Sequence, residues 1–286
     1  MAAFIRQLIA GYKYIIEDAA DPRTQDYFLI GSPWPCIALL GFYICFIYYI
    51  GPRFMAKRQP FQLDRILQIY NLSQIIINAI LLYKVLTLAW LRDYSFFCQP
   101  IDYSYSPKAI EIARGIWSYF MLKILDLLET VFFVLRKKQN QVSFLHVYHH
   151  VGMLLGTWIA TKYIPGGHVT FLGLVNTFVH VIMYIHYLLS SMKIDTGSWK
   201  KYITQLQLIQ FFLIILHYGQ LAWEDCGFPV WPAYIMIPQN VFMIILFGDF
   251  YYKMYIKKRP TIKMVPREME TNGISANVSK KKSKEQ

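Results

Sequence analysis

YIPGGHVTFLGLVNTFVHVIMYIHYLLSSM, residues 163–192, contains no Asp, Glu, Lys or Arg. A helix that crosses a bilayer needs about 20 consecutive, mostly apolar residues, and this stretch has them to spare. The pattern recurs. Segments free of the same four residue types run Tyr27–Pro52, Ile66–Tyr83, Gln139–Thr161, Tyr202–Trp223 and Cys226–Gly248. A seventh apolar segment, Gly115–Leu135, carries Lys123, Asp126 and Glu129 inside it. Composition agrees: the 286 residues are 56% apolar and 16% charged, where soluble domains run at about 25% charged. A soluble globule could not bury so much apolar surface and still coat itself with charge, and disorder of the body is excluded by the same figures. No segment shows the alternation of a closed β-barrel, and 4 cysteines are too few for a disulfide scaffold. The expected fold class is all-α, a polytopic membrane protein with seven transmembrane helices at roughly 33–50, 66–90, 112–135, 142–162, 169–190, 202–222 and 231–255.

Three regions follow. Residues 1–30 read as a short amphipathic lead-in, with Phe4, Leu8, Tyr12 and Ile15 at helical spacing. No basic segment, apolar stretch and cleavage site succeed one another there, so no cleavable signal peptide is expected. Residues 31–256 form the seven-helix membrane domain, and residues 257–286 a polar, basic tail with the composition of a disordered segment.

The net charge of +12 is mostly a topology signal. The first connection between spans holds Arg53, Lys57, Arg58 and Arg65, the third Arg136, Lys137 and Lys138, and the fifth Lys193, Lys200 and Lys201. With the C-terminal segment from Lys253 they carry 20 of the 29 positive charges, whereas the second, fourth and sixth hold only Arg92, Lys108, Arg114 and Lys162. The odd connections and the C-terminus are therefore expected in the cytosol and the N-terminus in the lumen. This places a basic rim on one membrane face, suited to anionic lipid or a phosphorylated substrate, and leaves no reason to invoke nucleic acid. Cys98 and Cys226 then fall on the oxidising side, where a disulfide between them is chemically permitted; two free thiols are the alternative. Lys282 and Lys284, fifth and third from the end, have the spacing of a dilysine retrieval signal, which points to the endoplasmic-reticulum membrane; a generic basic tail is the alternative. Asn277-Val278-Ser279 would lie on the wrong side for glycosylation.

Polar side chains inside spans mark function by default. In the third span Lys123, Asp126, Glu129 and Thr130 fall within an arc of about 120°; a charge pair that merely joins helices is the simpler reading, but two carboxylates and a lysine exceed what that needs. In the fourth, His146, His149 and His150 share an arc of about 100°. The fifth presents Asn176, His180, Met183, Tyr184 and Tyr187. The sixth presents Thr204, Gln207 and Gln210, with His217 further along the same side, and these glutamines fit interhelical hydrogen bonding as well as a site. The histidines suit either metal ligation or acid–base and nucleophilic chemistry. His146, His149, His150 and His180 could supply zinc ligands by number. Di-iron membrane oxidases and desaturases share the His-x-x-His-His box but resemble one another in carrying about three boxes, and this chain has one box and 7 histidines. No Ser or Cys lies on these polar faces as a rival nucleophile; Cys36 and Cys45 belong to the first span. A seven-helix receptor fits the helix count but not the clustered imidazoles and acids. A transporter would use Lys123–Asp126 as a coupling pair, without a visible inverted repeat.

Phe144-Leu145-His146-Val147-Tyr148-His149-His150 resembles the histidine box of the very-long-chain fatty acid elongases, and Leu127 to Lys138 resembles the segment leading into it. Asn176-x-x-x-His180-x-x-Met183-Tyr184 is similar to their second histidine motif and Thr204-x-x-Gln207-x-x-Gln210-Phe211 to their glutamine motif; Asp21-Pro22-Arg23, Gly51-Pro52 and Glu224-Asp225-Cys226 also fit. Two departures stand out. The family pattern Lys-x-x-Glu-x-x-Asp-Thr here has its acids exchanged, as Asp126 and Glu129, and His186 stands where the family usually has Tyr. That histidine is expected near the site or its cytosolic mouth.

The resemblance implies a condensing acyltransferase that joins a long-chain acyl-CoA to malonyl-CoA and releases 3-oxoacyl-CoA, CO2 and CoA, nearest the branch acting on saturated and monounsaturated very long chains. It implies an acyl-histidine intermediate on His149, with His146, His150, His180 and Asn176 as acid–base and oxyanion partners. It implies substrate contacts from Lys123, Asp126, Glu129, Tyr184, Tyr187, Thr204, Gln207 and Gln210. Arg136, Lys137 and the Lys193–Lys201 segment are placed to hold CoA, and spans 2–7 to enclose a tunnel for the acyl chain. No metal and no cofactor are expected. The expected partners are acyl-CoA, malonyl-CoA and the lipid bilayer, together with the reductase and dehydratase of the elongation cycle and a second copy of the chain, oligomeric state being left open.

Overall fold

A computed structural model describes residues 1–257. The expected tail signal at Lys282 and Lys284, and the tail beyond residue 257, lie outside the described residues. Among the described residues every regular element is helical. A lead-in helix, Ala2–Lys13, leaves Phe4, Leu8 and Tyr12 exposed. Seven long helices follow: α1 Pro33–Met55, α2 Asp64–Trp90, α3 Pro107–Leu135, α4 Phe144–Tyr163, α5 Thr170–Ser191, α6 Trp199–Gly219 and α7 Trp231–Ile256.

Local chemistry sets the helix ends. Ser106 Oγ accepts from Ala109 N at 3.1 Å with Pro107 in the first turn, and Ser143 Oγ accepts from His146 N at 3.2 Å. These caps satisfy amides that the first turn would otherwise leave unpaired. They start α3 and α4 at residues 107 and 144, where periodicity alone predicts 112 and 142. α1 runs on through Gly51-Pro52 instead of stopping at residue 50. A wide π-helical turn, Phe46–Ile50, precedes Pro52 and loosens the backbone where the ring would press on the preceding turn. Gly51 is required by close packing, since a Cβ there would meet Val134 Cγ1 of α3 at 2.6 Å.

By length and composition, four helices can cross a membrane: α1, α2, α7 and α5 extended back to Gly167. The other three, α3, α4 and α6, are 29, 20 and 21 residues long. They bear the polar side chains described below, and those dilute their hydropathy. Composition alone therefore does not deliver the expected seven.

Side by side, α2 packs on α3 and α5, α3 on α4, α4 on α7, α7 on α6 and α6 on α5, which closes a six-helix ring. α1 lies outside it and buries Leu40, Tyr43 and Ile47 against Phe120, Leu127 and Val134 of α3 and Val147 and Leu154 of α4. One end of the ring is sealed by loops. Cys98 and Cys226 form a disulfide with Cα atoms 5.9 Å apart. The segment before α1 folds over α3 and α4: Arg23 pairs with Asp21 and donates to the carbonyls of Asp102 and Ser104, while Lys162 Nζ donates to the carbonyls of Ile30 and Gly31 at 3.1 and 3.2 Å. Burying a lysine needs such partners. The Asp21-Pro22-Arg23 motif is thus a clamp between the lead-in and this end of the ring. Inside the ring an apolar cavity is lined by α3 to α7.

Candidate active site

Two polar networks meet inside the ring. The first is centred on α3. Lys123 Nζ lies 2.9 Å from Asp126 Oδ2 and donates to Asn176 Oδ1 of α5, also at 2.9 Å. Tyr119 donates to the same Oδ1 at 2.6 Å. Two donors on Oδ1 fix the amide's orientation and leave the Asn176 NH2 as its free donor. Asp126 Oδ1 accepts from Gln74 Nε2 at 3.0 Å and from Tyr184 OH at 3.3 Å. Gln74 also donates to Tyr70 OH, which in turn lies 3.5 Å from Tyr184 OH. Lys123, Asp126, Asn176 and Tyr184 are all buried, so the charge pair is held by hydrogen bonds on every side. His180 Nδ1 stands 4.0 Å from Asp126 Oδ2, beyond hydrogen-bond distance, and has no hydrogen-bond partner among the described residues.

The second network joins α1, α3 and α4. Tyr43 OH, Thr130 Oγ1 and His146 Nε2 form a chain with both separations 2.8 Å. His150 Nε2 lies 3.9 Å from Glu129 Oε2. The ring centroids of His146 and His150 are 4.3 Å apart, and those of His149 and His150 5.6 Å. The i, i+3, i+4 spacing of the box therefore gives one compact imidazole cluster, facing the acids of α3. His149 itself lines the cavity wall, together with Asn176 and Gln210. Gln210 is buried with its Oε1 unpartnered among the described residues. Among the described residues no group of three or more His, Cys, Asp or Glu side chains is arranged to hold a metal ion.

Other expected residues sit at the margin. Tyr187 packs on Tyr184 with ring centroids 5.8 Å apart. Thr204 bonds back to the carbonyl of Lys200 within α6, whereas Gln207 donates to Met183 Sδ of α5 at 3.7 Å and so ties two helices together. Arg136 lies 3.9 Å from Asp64 Oδ1 at the C-terminal end of α3, and Lys137, exposed, donates to the carbonyl of Ala56. His186 is buried with Nδ1 unpartnered among the described residues, and the aromatic ring beside it is that of Tyr187. His217 does not join the glutamine face. Its ring stacks on that of His168 at 3.6 Å near the sealed end, and each ring nitrogen Nε2 bonds the other residue's carbonyl. The sequence reading missed Tyr70, Gln74 and Asn78. They occupy one face of α2 at i, i+4, i+8, a signal present in the sequence but hidden in a charge-free span.

The profile of the ELO family, described as the GNS1/SUR4 family, matches residues 28–263. The chain belongs to the ELO family. The matched residues include all seven long helices and both polar networks of this ELO-family chain. Three relatives illustrate the range. Very long chain fatty acid elongase 7 of Drosophila melanogaster is 41% identical over 259 residues, 89% of this chain and 79% of that protein. Very long chain fatty acid elongase 4 of Homo sapiens is 39% identical over 269 residues, covering 93% and 84%. Very long chain fatty acid elongase 1 of Mus musculus is 40% identical over 268 residues, covering 92% and 94%.

Proposed function

We propose that this chain is the condensing enzyme of fatty acid elongation, an acyltransferase that joins a long-chain acyl-CoA and malonyl-CoA to give 3-oxoacyl-CoA, CO2 and CoA. The position of His149 carries the reading: a cluster of imidazoles backed by acids delivers one ring to the wall of a large apolar cavity. Membership of the ELO family and relatives named as elongases support it.

The chemistry follows from what each group can do. An imidazole nitrogen of His149 attacks the thioester carbonyl, the C–S bond breaks, and an acyl-imidazole remains. The proton lost by the ring passes through a neighbouring imidazole to the departing CoA thiolate. His150 and His180 suit that step, since each has a carboxylate about 4 Å away to stabilise its protonated form. Malonyl-CoA then loses CO2, and the electron pair of the broken C–C bond stays as an enolate. The free NH2 of Asn176, which lines the cavity, and the ring of His180 are the donors we assign to stabilise it. The enolate carbon attacks the acyl carbonyl, the C–N bond breaks, and the His149 ring takes up a proton from the medium through a neighbouring imidazole, the first having left on the CoA thiol. A dry site protects the acyl-imidazole from hydrolysis, and the apolar cavity provides one. The reading uses no metal and no cofactor.

The same proposal covers the setting. All seven long helices span the membrane, α2 to α7 enclose the acyl tunnel, and α1 stands outside. The ring's open end, with Arg136, Lys137 and the Lys193–Lys201 connection, faces the cytosol and receives CoA. The sealed end, with the disulfide, faces the lumen of the endoplasmic reticulum. The reductase and dehydratase of the cycle, and a second copy of the chain, are its proposed partners.

Mass spectrometry of the purified chain incubated with acyl-CoA alone tests the mechanism. An acyl adduct is expected on the Gln139–Lys162 segment and absent from His149→Ala. Normal turnover by His149→Ala would refute the nucleophile.

A further inference from the structure

A second, mostly apolar crevice lies between α2 and α3 with α5 as its floor. It is lined by Leu81, Leu88 and Ala89 of α2 on one side, and it shares Ile116, Tyr119 and Gly173 with the cavity that His149 lines. The two spaces are therefore back to back, one residue thick at α5. Gly173 is the thin point. A Cβ built on it meets no heavy atom within 4 Å outside its own helix, so open volume borders this residue. It also sits one helical turn from Asn176, on the side away from the glutamine face's Thr204 and towards the sealed end. A glycine inside a helix weakens it relative to other residues, and neither a turn nor a positive φ calls for one here. The open volume on both sides is the remaining physical use for it.

We propose that Gly173 is a specificity-determining residue, the passage through which the apolar end of a long acyl chain continues from the reaction cavity into the α2–α3 crevice. This rests on the acyl-CoA reading above and adds a branch to its tunnel. The ligand class is a saturated or nearly saturated hydrocarbon tail, because the crevice wall at Leu81, Val85, Leu88, Ile112 and Ile116 offers dispersion contacts, while its polar members are already partnered: Lys84 with Glu111, and Thr170 and Thr177 with backbone carbonyls. Chains short enough to end before Gly173 do not feel the crevice. Longer ones depend on it.

The test uses the full chain in membranes, supplied with malonyl-CoA and a series of saturated acyl-CoAs of increasing length. Gly173→Leu places a side chain in the passage and raises helix propensity. Leu88→Trp fills the crevice from α2, away from the reaction cavity. Both variants are expected to lower the ratio of longest-chain to shortest-chain turnover at least tenfold. If wild type elongates and both variants keep its length profile, or lose all lengths equally, the branch is overturned alone. A wild-type chain that elongates no acyl-CoA overturns the branch together with the function it rests on.

Discussion

Lys123 Nζ and Asn176 Oδ1 are 2.9 Å apart, across the contact between α3 and α5. The lysine thereby does two things at once. It neutralises Asp126, and it turns the Asn176 amide so that its NH2 is the donor left over. Replacing Lys123 by Met leaves Asp126 buried without its charge partner. The expected loss of stability is about 3–5 kcal/mol, the range for breaking a buried pair from one side. The double variant Lys123→Met/Asp126→Leu should regain most of that in thermal unfolding, yet turn over more slowly than wild type, because Asn176 Oδ1 keeps only Tyr119 of its two donors.

Thr130 couples Tyr43 of α1 to His146 of the box. Thr130→Val removes a hydrogen bond to the imidazole, whereas Tyr43→Phe leaves that bond in place and only shortens the chain. Each bond is worth about 1 kcal/mol, roughly fivefold in rate if felt in the transition state. Steady-state turnover should fall more for Thr130→Val than for Tyr43→Phe. The reverse order would show that His146 is positioned by something else.

The exchanged acids have distinct partners: Asp126 faces Lys123, Gln74 and Tyr184, and Glu129 faces His150. Asp126→Glu adds a methylene to a fully packed site, where overpacking costs about 1–3 kcal/mol. Glu129→Asp draws the carboxylate away from His150. The double exchange, which restores the usual family order, is therefore expected to be slower than wild type in an elongation assay. Full activity in the double variant would show that the two positions tolerate either acid.

Cys98 and Cys226 are 128 residues apart in the chain, so their bridge closes a long loop. Reduction, or Cys226→Ser, should lower stability by about 2–4 kcal/mol, seen as a drop in melting temperature with and without dithiothreitol. Turnover at a temperature well below that transition should change little, since neither cysteine approaches the imidazole cluster.

Much of the site was legible because helical spacing is a strict rule. Lys123, Asp126, Glu129 and Thr130 had to share a face, and so did His146, His149 and His150. Partnership was less legible. Gln74, with Tyr70 behind it, completes the hydrogen bonding of Asp126 from the charge-free stretch Ile66–Tyr83 of α2, and Tyr119 and Tyr43 read as ordinary apolar filling until their hydroxyls find partners. His217 shows the converse. Its spacing from Gln210 suggested one continuous polar face, but seven residues carry it two turns along the axis, to the sealed end, where stacking on His168 occupies it.

The sequence by itself determined the helices and the faces they present. Charge-free runs, serine caps and i, i+3, i+4 spacing are local properties, and backbone geometry converts them directly into one rod with one polar stripe. Which stripes meet is not local. The ring order, the approach of Asn176 to Lys123, the cavity behind His149 and the thin wall at Gly173 depend on how seven rods pack, and that is settled by side-chain shape summed over contacts far apart in the chain.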